Sequence, residues 1–81
     1  MKKYTALARI RNANFQADFT NIQEFADFCK EQGAKWGHLF DEQNGAAVVS
    51  YFEASGRRSL MDRPMITDDE RRAIQNARAT L

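Results

Sequence analysis

Residues 4–11 and 15–20 alternate between apolar and polar side chains with the two-residue period of a β-strand. Even positions from 4 to 10 are apolar or aromatic, whereas the odd positions between them are mostly polar. A second run places Phe15, Ala17 and Phe19 on one side. Residues 12–14 between the runs are turn-tolerant, since Asn accepts a left-handed backbone. We therefore predict a β-hairpin with one buried and one solvent-facing side.

Residues 21–32 follow the helical period instead. Thr20 or Asn21 is placed to cap the start, with Gln23 or Glu24 completing the cap, and Gly33 is placed to end the helix. This segment predicts an amphipathic helix. Its apolar stripe consists of Ile22, Phe25, Ala26, Phe28 and Cys29.

Residues 36–40 and 46–53 flank the dipeptide Asn44-Gly45, which is typical of a type I′ hairpin turn. A two-residue loop there would place Phe40 opposite Val49 and His38 opposite Tyr51. The stretch 46–49 is apolar at every position, which indicates a central strand.

The remaining chain predicts a loop at 54–59 around Gly56, an irregular apolar stretch at 60–66 interrupted by Pro64, and a last helix. Residues 67–70 form a capping box, so the helix is expected at about 68–80. Its apolar stripe is thin, so it either lies lightly on the domain or projects from it. The sum is one α+β domain, residues 1–81, with a two-layer ββαββα order. We expect a mostly antiparallel four-stranded sheet with one helix on one face and a C-terminal helix.

Charge is nearly balanced, with 12 Lys and Arg against 11 Asp and Glu and a net charge of +1. A dedicated nucleic-acid binder usually carries a clear cationic excess, because phosphate neutralisation supplies much of its affinity. Any charge-driven role must therefore come from local clustering.

The sequence contains few side chains suited to catalysis or metal binding. Cys29 and His38 are the only residues of their types and lie on different predicted elements, so we expect no metal site, no cofactor and no enzyme activity. Cys29 is expected in the core, and the pairs Asp41–Glu42 and Asp68–Asp69 have structural explanations at a hairpin end and a helix start. A lone cysteine and the lack of a long apolar run predict a cytoplasmic protein without a membrane segment.

Two basic groups allow alternative interpretations: contacts to phosphates, contacts to an acidic protein surface, or a solvated rim balanced by nearby carboxylates. The aromatic pattern argues against a platform for stacking bases, because the basic face of the first strand carries no ring. One group is Lys3, Arg9 and Arg11; the other is Arg57, Arg58 and Arg63, extended by Arg71, Arg72 and Arg78.

Apolar residues in the stretch 60–66 are either part of a small core or the anchors of an arginine-rimmed interface. The sequence therefore predicts a small non-enzymatic protein-interaction module that binds a larger protein and modulates or inhibits it, as an accessory or mobile-element (phage-type) regulator. Self-association is compatible with this function. The alternative is a nucleic-acid-binding protein that uses the basic strand face and the C-terminal arginines. The predicted partner-binding residues are Arg57, Arg58, Met61, Arg63, Met65, Arg71 and Arg72.

Overall fold

A computed structural model describes residues 2–81 as an α+β fold with two helices on a five-stranded sheet. The strand order is β2-β1-β3-β4-β5, and every neighbouring pair is antiparallel. The elements are β1 (Tyr4–Ile10), β2 (Ala13–Phe19), α1 (Ile22–Gln32), β3 (Trp36–Asp41), β4 (Ala47–Ala54), β5 (Arg57–Asp62) and α2 (Asp68–Arg78).

The first hairpin has the alternation that the sequence predicts. Ile10 pairs with Ala13 across a two-residue turn in which Arg11 and Asn12 have φ of 51° and 64°. Positive φ at both central residues is the mark of a type I′ turn, whose twist matches that of the flanking strands. The turn therefore begins one residue earlier than expected, and Asn14 belongs to β2.

The first helix and both of its predicted caps are confirmed. The Asn21 side chain accepts a hydrogen bond from the Glu24 backbone N–H at 2.8 Å, and Gly33 ends the helix with φ of 65°. This helix connects β2 to β3 and passes over β1, so β1 lies between them in the sheet. The crossing brings the basic strand β1 directly beside β3.

The prediction of four strands is wrong, because residues 57–62 form a fifth strand. Ser55 and Gly56 have φ of 53° and 78°, and Ala54 pairs with Arg57, so a second tight hairpin replaces the expected loop. The apolar alternation of a strand is missing from this segment, since Leu60 is its only buried residue. A polar edge strand of this kind lacks the periodic signal on which the prediction depended.

The predicted pairing between β3 and β4 is wrong by one residue at His38 and by two at Phe40, which pairs with Ala47. His38 lies opposite Ser50, Leu39 opposite Val49, and the register shifts at a bulge between Leu39 and Phe40. Gly45 has a positive φ whereas Asn44 does not, so Asn44-Gly45 is not a type I′ turn. Because a one-residue slip moves side chains to the opposite face, Tyr51 is buried under the helices and Ser50 lies beside His38.

Both helices lie on the same face of the sheet, which we call the covered face. Small residues of β1 and β3 allow α1 to approach closely: a Cβ at Gly37 would lie 2.9 Å from Cys29 Sγ and 3.2 Å from Phe25 Cζ. Helix α2 packs against α1 and β5, with Ile74 and Ala77 fully buried. It therefore does not project. Neither helix of residues 2–81 has the length and apolar character needed to cross a membrane.

Candidate functional site

Neither helix of residues 2–81 lies on the opposite face of the sheet, and we call it the open face. Strand register fixes its side chains in two neighbouring rows that run across the sheet. The first row is Asn14, Arg9, Trp36, Phe52 and Ser59, and the second is Gln16, Leu7, His38, Ser50 and Met61.

Aromatic rings occupy the centre of the open face. The His38 ring centroid lies 5.2 Å from that of Trp36, 6.4 Å from that of Phe40 and 5.9 Å from that of Phe52. Phe52 is 37% exposed, and the other three are partly exposed. These rings give the open face an aromatic surface in contact with solvent.

A short hydrogen-bond chain holds His38 in the middle of this surface. Its Nδ1 lies 2.8 Å from Ser50 Oγ, and Arg63 Nη1 donates to the same Oγ at 3.3 Å. An Oγ that accepts from Arg63 can donate its own proton to Nδ1, which favours the tautomer with a proton on Nε2. Burial, and then the charge of Arg63, lower the pKa of His38. The imidazole is therefore neutral at pH 7.

The Ser50–His38 pair has the spacing of a nucleophile and its base, but its accessibility does not suit that chemistry. Ser50 is fully buried in the sheet, so its hydroxyl does not face a substrate. The contact instead fixes the plane of the imidazole ring between Trp36 and Phe40.

Charge is segregated between the two faces although the whole chain is nearly neutral. Of the four strand carboxylates that the structure describes, register places only Asp18 on the open face. Asp41, Glu53 and Asp62 lie on the covered face. Of the three strand arginines, Arg9 and Arg57 are on the open face by register and Arg58 is on the covered face, and Arg63 reaches the open face through Ser50. The open face is therefore locally cationic.

Three of the seven predicted partner-binding residues lie on the open face: Arg57, Met61 and Arg63. Met61 is 53% exposed. Met65, at 74% exposure, lies in the loop after β5. The two methionines are thus surface residues, and Leu60 of the same segment is the one that reaches the core.

The other three predicted residues lie elsewhere. Arg58 is opposite Glu53 on the covered side of the sheet. Arg71 pairs with Asp62 at 3.4 Å, and Arg72 pairs with Asp69 on the exposed surface of α2 at 3.7 Å. The structure therefore does not bring the seven residues into one surface.

The basic residues of the alternative prediction also separate. Arg9 lies on the open face, where its Nη1 donates to the Asn14 side chain at 2.9 Å. Arg11 lies in the first turn, and Lys3 lies beside a surface hollow next to Asp41. Arg78 bonds the Leu60 carbonyl and the Asp62 carboxylate at the edge of β5. Arg9 is the only one of these four that the structure places beside the rings.

Sequence reasoning missed Trp36, Phe40 and Phe52 as a group. The alternation of W-G-H-L-F in β3 places its three ring-bearing residues on one side, and this signal was present in the sequence. The sequence carried no signal for the pairing of β3 with β1. That pairing brings Arg9 opposite Trp36.

A separate polar cluster joins the start of the chain to α2. Glu70 accepts hydrogen bonds from Tyr4 Oη at 2.8 Å and Lys2 Nζ at 2.9 Å, and Lys2 also lies 3.3 Å from Asp41. Glu70 completes the capping box with Thr67. Burial and the bond to Glu70 raise the pKa of Tyr4 to about 12. These groups satisfy one another, so the cluster stabilises α2.

Residues 2–81 contain no group of three or more His, Cys, Asp or Glu side chains arranged to hold a metal ion. Cys29 is fully buried, as predicted, and burial raises the pKa of its thiol to about 12. A thiol in this state is a poor nucleophile.

In comparisons with known proteins, the chain matches no family model, no curated protein and no solved structure.

Proposed function

We propose that this protein binds single-stranded nucleic acid on the open face of its sheet. The observation that supports this proposal is the arrangement of Trp36, His38, Phe40 and Phe52 beside arginines on a sheet face without a helix. Bases of single strands stack on aromatic side chains, and arginines contact the phosphates between them. This is the alternative function predicted from the sequence; it keeps Arg9, Arg57 and Arg63 of the predicted basic groups and adds the four rings.

The spacing of the rings suits successive bases. Trp36, His38 and Phe40 follow one another along β3, with neighbouring centroids 5.2 and 6.4 Å apart. Each base stacked on such a ring contributes about 1–3 kcal/mol in alanine-substitution measurements. Three stacked bases therefore contribute about 3–9 kcal/mol, and the upper end of this range corresponds to micromolar binding.

A single strand suits this surface better than a duplex. The bases of a duplex are stacked on one another, so their faces are not accessible to the rings of the open face. Duplex binding depends mainly on neutralising phosphates, and a net charge of +1 supplies little for that. The open face offers Arg9, Arg57 and Arg63 as phosphate contacts, which is a modest electrostatic contribution.

The single tryptophan makes the test direct. We expect the fluorescence of Trp36 to be quenched by unlabelled oligonucleotides of about 10 nucleotides, since the tryptophan lies in the proposed site. With labelled DNA and RNA of the same length, the slope of log K against log salt should be close to −2, because three arginines would release about two counterions.

Two variants distinguish stacking on the rings from nonspecific binding to an apolar or charged surface. Phe52→Leu keeps an apolar side chain but removes the ring, so binding should weaken about tenfold. Arg9→Ala should weaken binding and flatten the salt dependence. Arg72→Ala is the matched control, because it removes the same charge from the far surface of α2 and should leave binding unchanged. Equal losses in all three variants, or no quenching by any oligonucleotide, would refute the proposal.

A protein partner is the second candidate, and the exposure of Met61 and Met65 favours it. Aliphatic and thioether side chains do not stack on bases, but they are common at protein interfaces. The Met61→Asp and Met65→Asp variants should fold normally. If they lose a defined protein partner while the wild-type chain leaves oligonucleotides unbound, this second function replaces the first.

A further inference from the structure

The two edges of the sheet are protected differently. At the β5 edge, Arg78 Nε donates to the outward-facing Leu60 carbonyl at 3.0 Å, and Arg78 and Arg71 both bind Asp62. Helix α2 therefore covers this edge with charged groups. Charges and covered main-chain groups are the usual ways in which proteins prevent edge strands from pairing with other chains.

The β2 edge has none of this protection. Its seven residues contain no proline, no lysine and a single charge, Asp18. Ile10 and Ala13 flank a two-residue turn and so form a hydrogen-bonded pair. Hydrogen-bonded and non-hydrogen-bonded pairs alternate in an antiparallel ladder, so from Ala13 onward every second residue of β2 directs its main-chain N–H and C=O groups towards β1. The N–H and C=O groups of Asn14, Gln16 and Asp18 consequently point outward, and residues 2–81 provide no partner for them.

We propose that β2 pairs antiparallel with β2 of a second copy of this chain and joins two sheets into one. Gln16 lies at the middle of β2, so a two-fold axis through Gln16 pairs the whole strand with its copy. Asn14 of one copy then lies opposite Asp18 of the other. Each of these outward-facing pairs exchanges two main-chain hydrogen bonds, so this register satisfies the whole edge.

The side chains of β2 also fit together in the register of this two-fold pairing. Phe15 is 48% exposed on the covered side of β2, and the two-fold pairing places it opposite Ala17 of the second copy. The small alanine leaves room for the ring, so the dimer covers an apolar surface that the monomer exposes. No like charges face one another, because each Asp18 meets an asparagine.

The two-fold axis is perpendicular to the sheet, so the open faces of both copies lie on the same side. A strand of nucleic acid could then contact both faces, which raises its apparent affinity. The dimer itself does not depend on the proposed function, and its test contains no nucleic acid.

The test is the mass of the full chain in solution, measured by sedimentation across the micromolar range. We expect a reversible dimer. Asn14→Asp places carboxylates opposite Asp18 at both ends of the interface and should weaken dimerisation roughly tenfold. Adding Asp18→Asn to this variant restores an anion opposite an amide and should restore the dimer. Both changes keep the intramolecular acceptors for Arg9 and Thr5.

A second variant makes the result independent of charge. Gln16→Pro removes an outward N–H and no bond to β1, so circular dichroism should show an intact fold with a monomeric mass. A wild-type monomer at every concentration would overturn the proposal. A dimer that persists unchanged in both Asn14→Asp and Gln16→Pro would also overturn it, because the interface would then lie elsewhere.

Discussion

The covered and open faces of the sheet are built from alternate residues of the same strands, yet in β3 the aromatic side chains lie on the open face. In β3, the residues under the helices include Gly37 and Leu39, whereas Trp36, His38 and Phe40 face solvent. Large aromatic residues are usually found in the interior. At Gly37 the side chains of Phe25 and Cys29 in α1 leave no room for a Cβ on the covered face, and the rings of β3 lie on the side without helices.

We therefore expect the covered face to determine the stability of the fold and the open face to determine ligand binding. Substitutions on the covered face should reduce the free energy of unfolding, because tightly packed atoms lose their contacts. Substitutions on the open face should change the free energy of unfolding much less and act on ligand binding instead. The same residue type on the two faces is therefore the sharpest comparison.

The largest effect is expected for Phe25→Ala in α1, the helix that packs on the covered face. Phe25 is fully buried, and truncating a buried phenylalanine costs about 3–5 kcal/mol through lost burial and the cavity left behind. Phe52→Ala is the matched open-face variant, and we expect it to cost about 1 kcal/mol. Urea denaturation of both variants measures this difference. Equal losses would mean that the open face is part of the core.

A smaller effect is expected for Glu70→Gln, which loses a carboxylate on the covered side. Burial acts to raise the pKa of Glu70, but hydrogen bonds from the Thr67 backbone, Lys2 and Tyr4 outweigh it and lower the pKa below its ordinary value. Loss of the charged acceptor should cost about 1–2 kcal/mol at neutral pH.

The pH dependence gives this prediction its sign. A lowered pKa in the folded state means that the ionised Glu70 stabilises the fold above the ordinary glutamate pKa, and this contribution is lost as pH falls through the lowered value. The stability difference between the wild-type chain and Glu70→Gln should therefore shrink in acid. A difference that stays constant from neutral to acid pH would contradict the role of the charge.

The sequence predicted the elements whose signals are local. Helix α1, its Asn21 and Gly33 caps and the capping box at Thr67 all follow from residues three or four positions apart. The alternation in β1 and β2 also identified their two faces. Each of these features depends on neighbours along the chain, so no tertiary information was needed.

The features that the sequence did not predict depend on pairing between distant segments. Strand β5 buries only Leu60, so its existence depends on main-chain bonds to β4 and on the Ser55-Gly56 turn. The bulge in β3–β4 decides whether Ser50 or Tyr51 lies beside His38. The position of β3 next to β1 brings Trp36 to Arg9, and a crossing helix, rather than any local motif, sets that position.

The smallest effect concerns the titration of His38 on the open face. Burial and the charge of Arg63 lower its pKa, and Arg63→Met removes the second cause while keeping a side chain of similar length. The pKa of His38 should move upward towards its ordinary value, as followed by NMR of the imidazole protons. Arg57→Met is the control on the same face and should move it less, because Arg57 does not contribute to the lowering in the wild-type chain.

The consequence for stability follows from the direction of this shift. Because the folded state disfavours the protonated imidazole, the unfolded chain binds more protons, and stability falls as pH drops from the ordinary histidine pKa towards the lowered one. Arg63→Met should make that fall shallower. An unchanged His38 titration in Arg63→Met would mean that burial alone sets the pKa, and that the charge of Arg63 does not act on the imidazole.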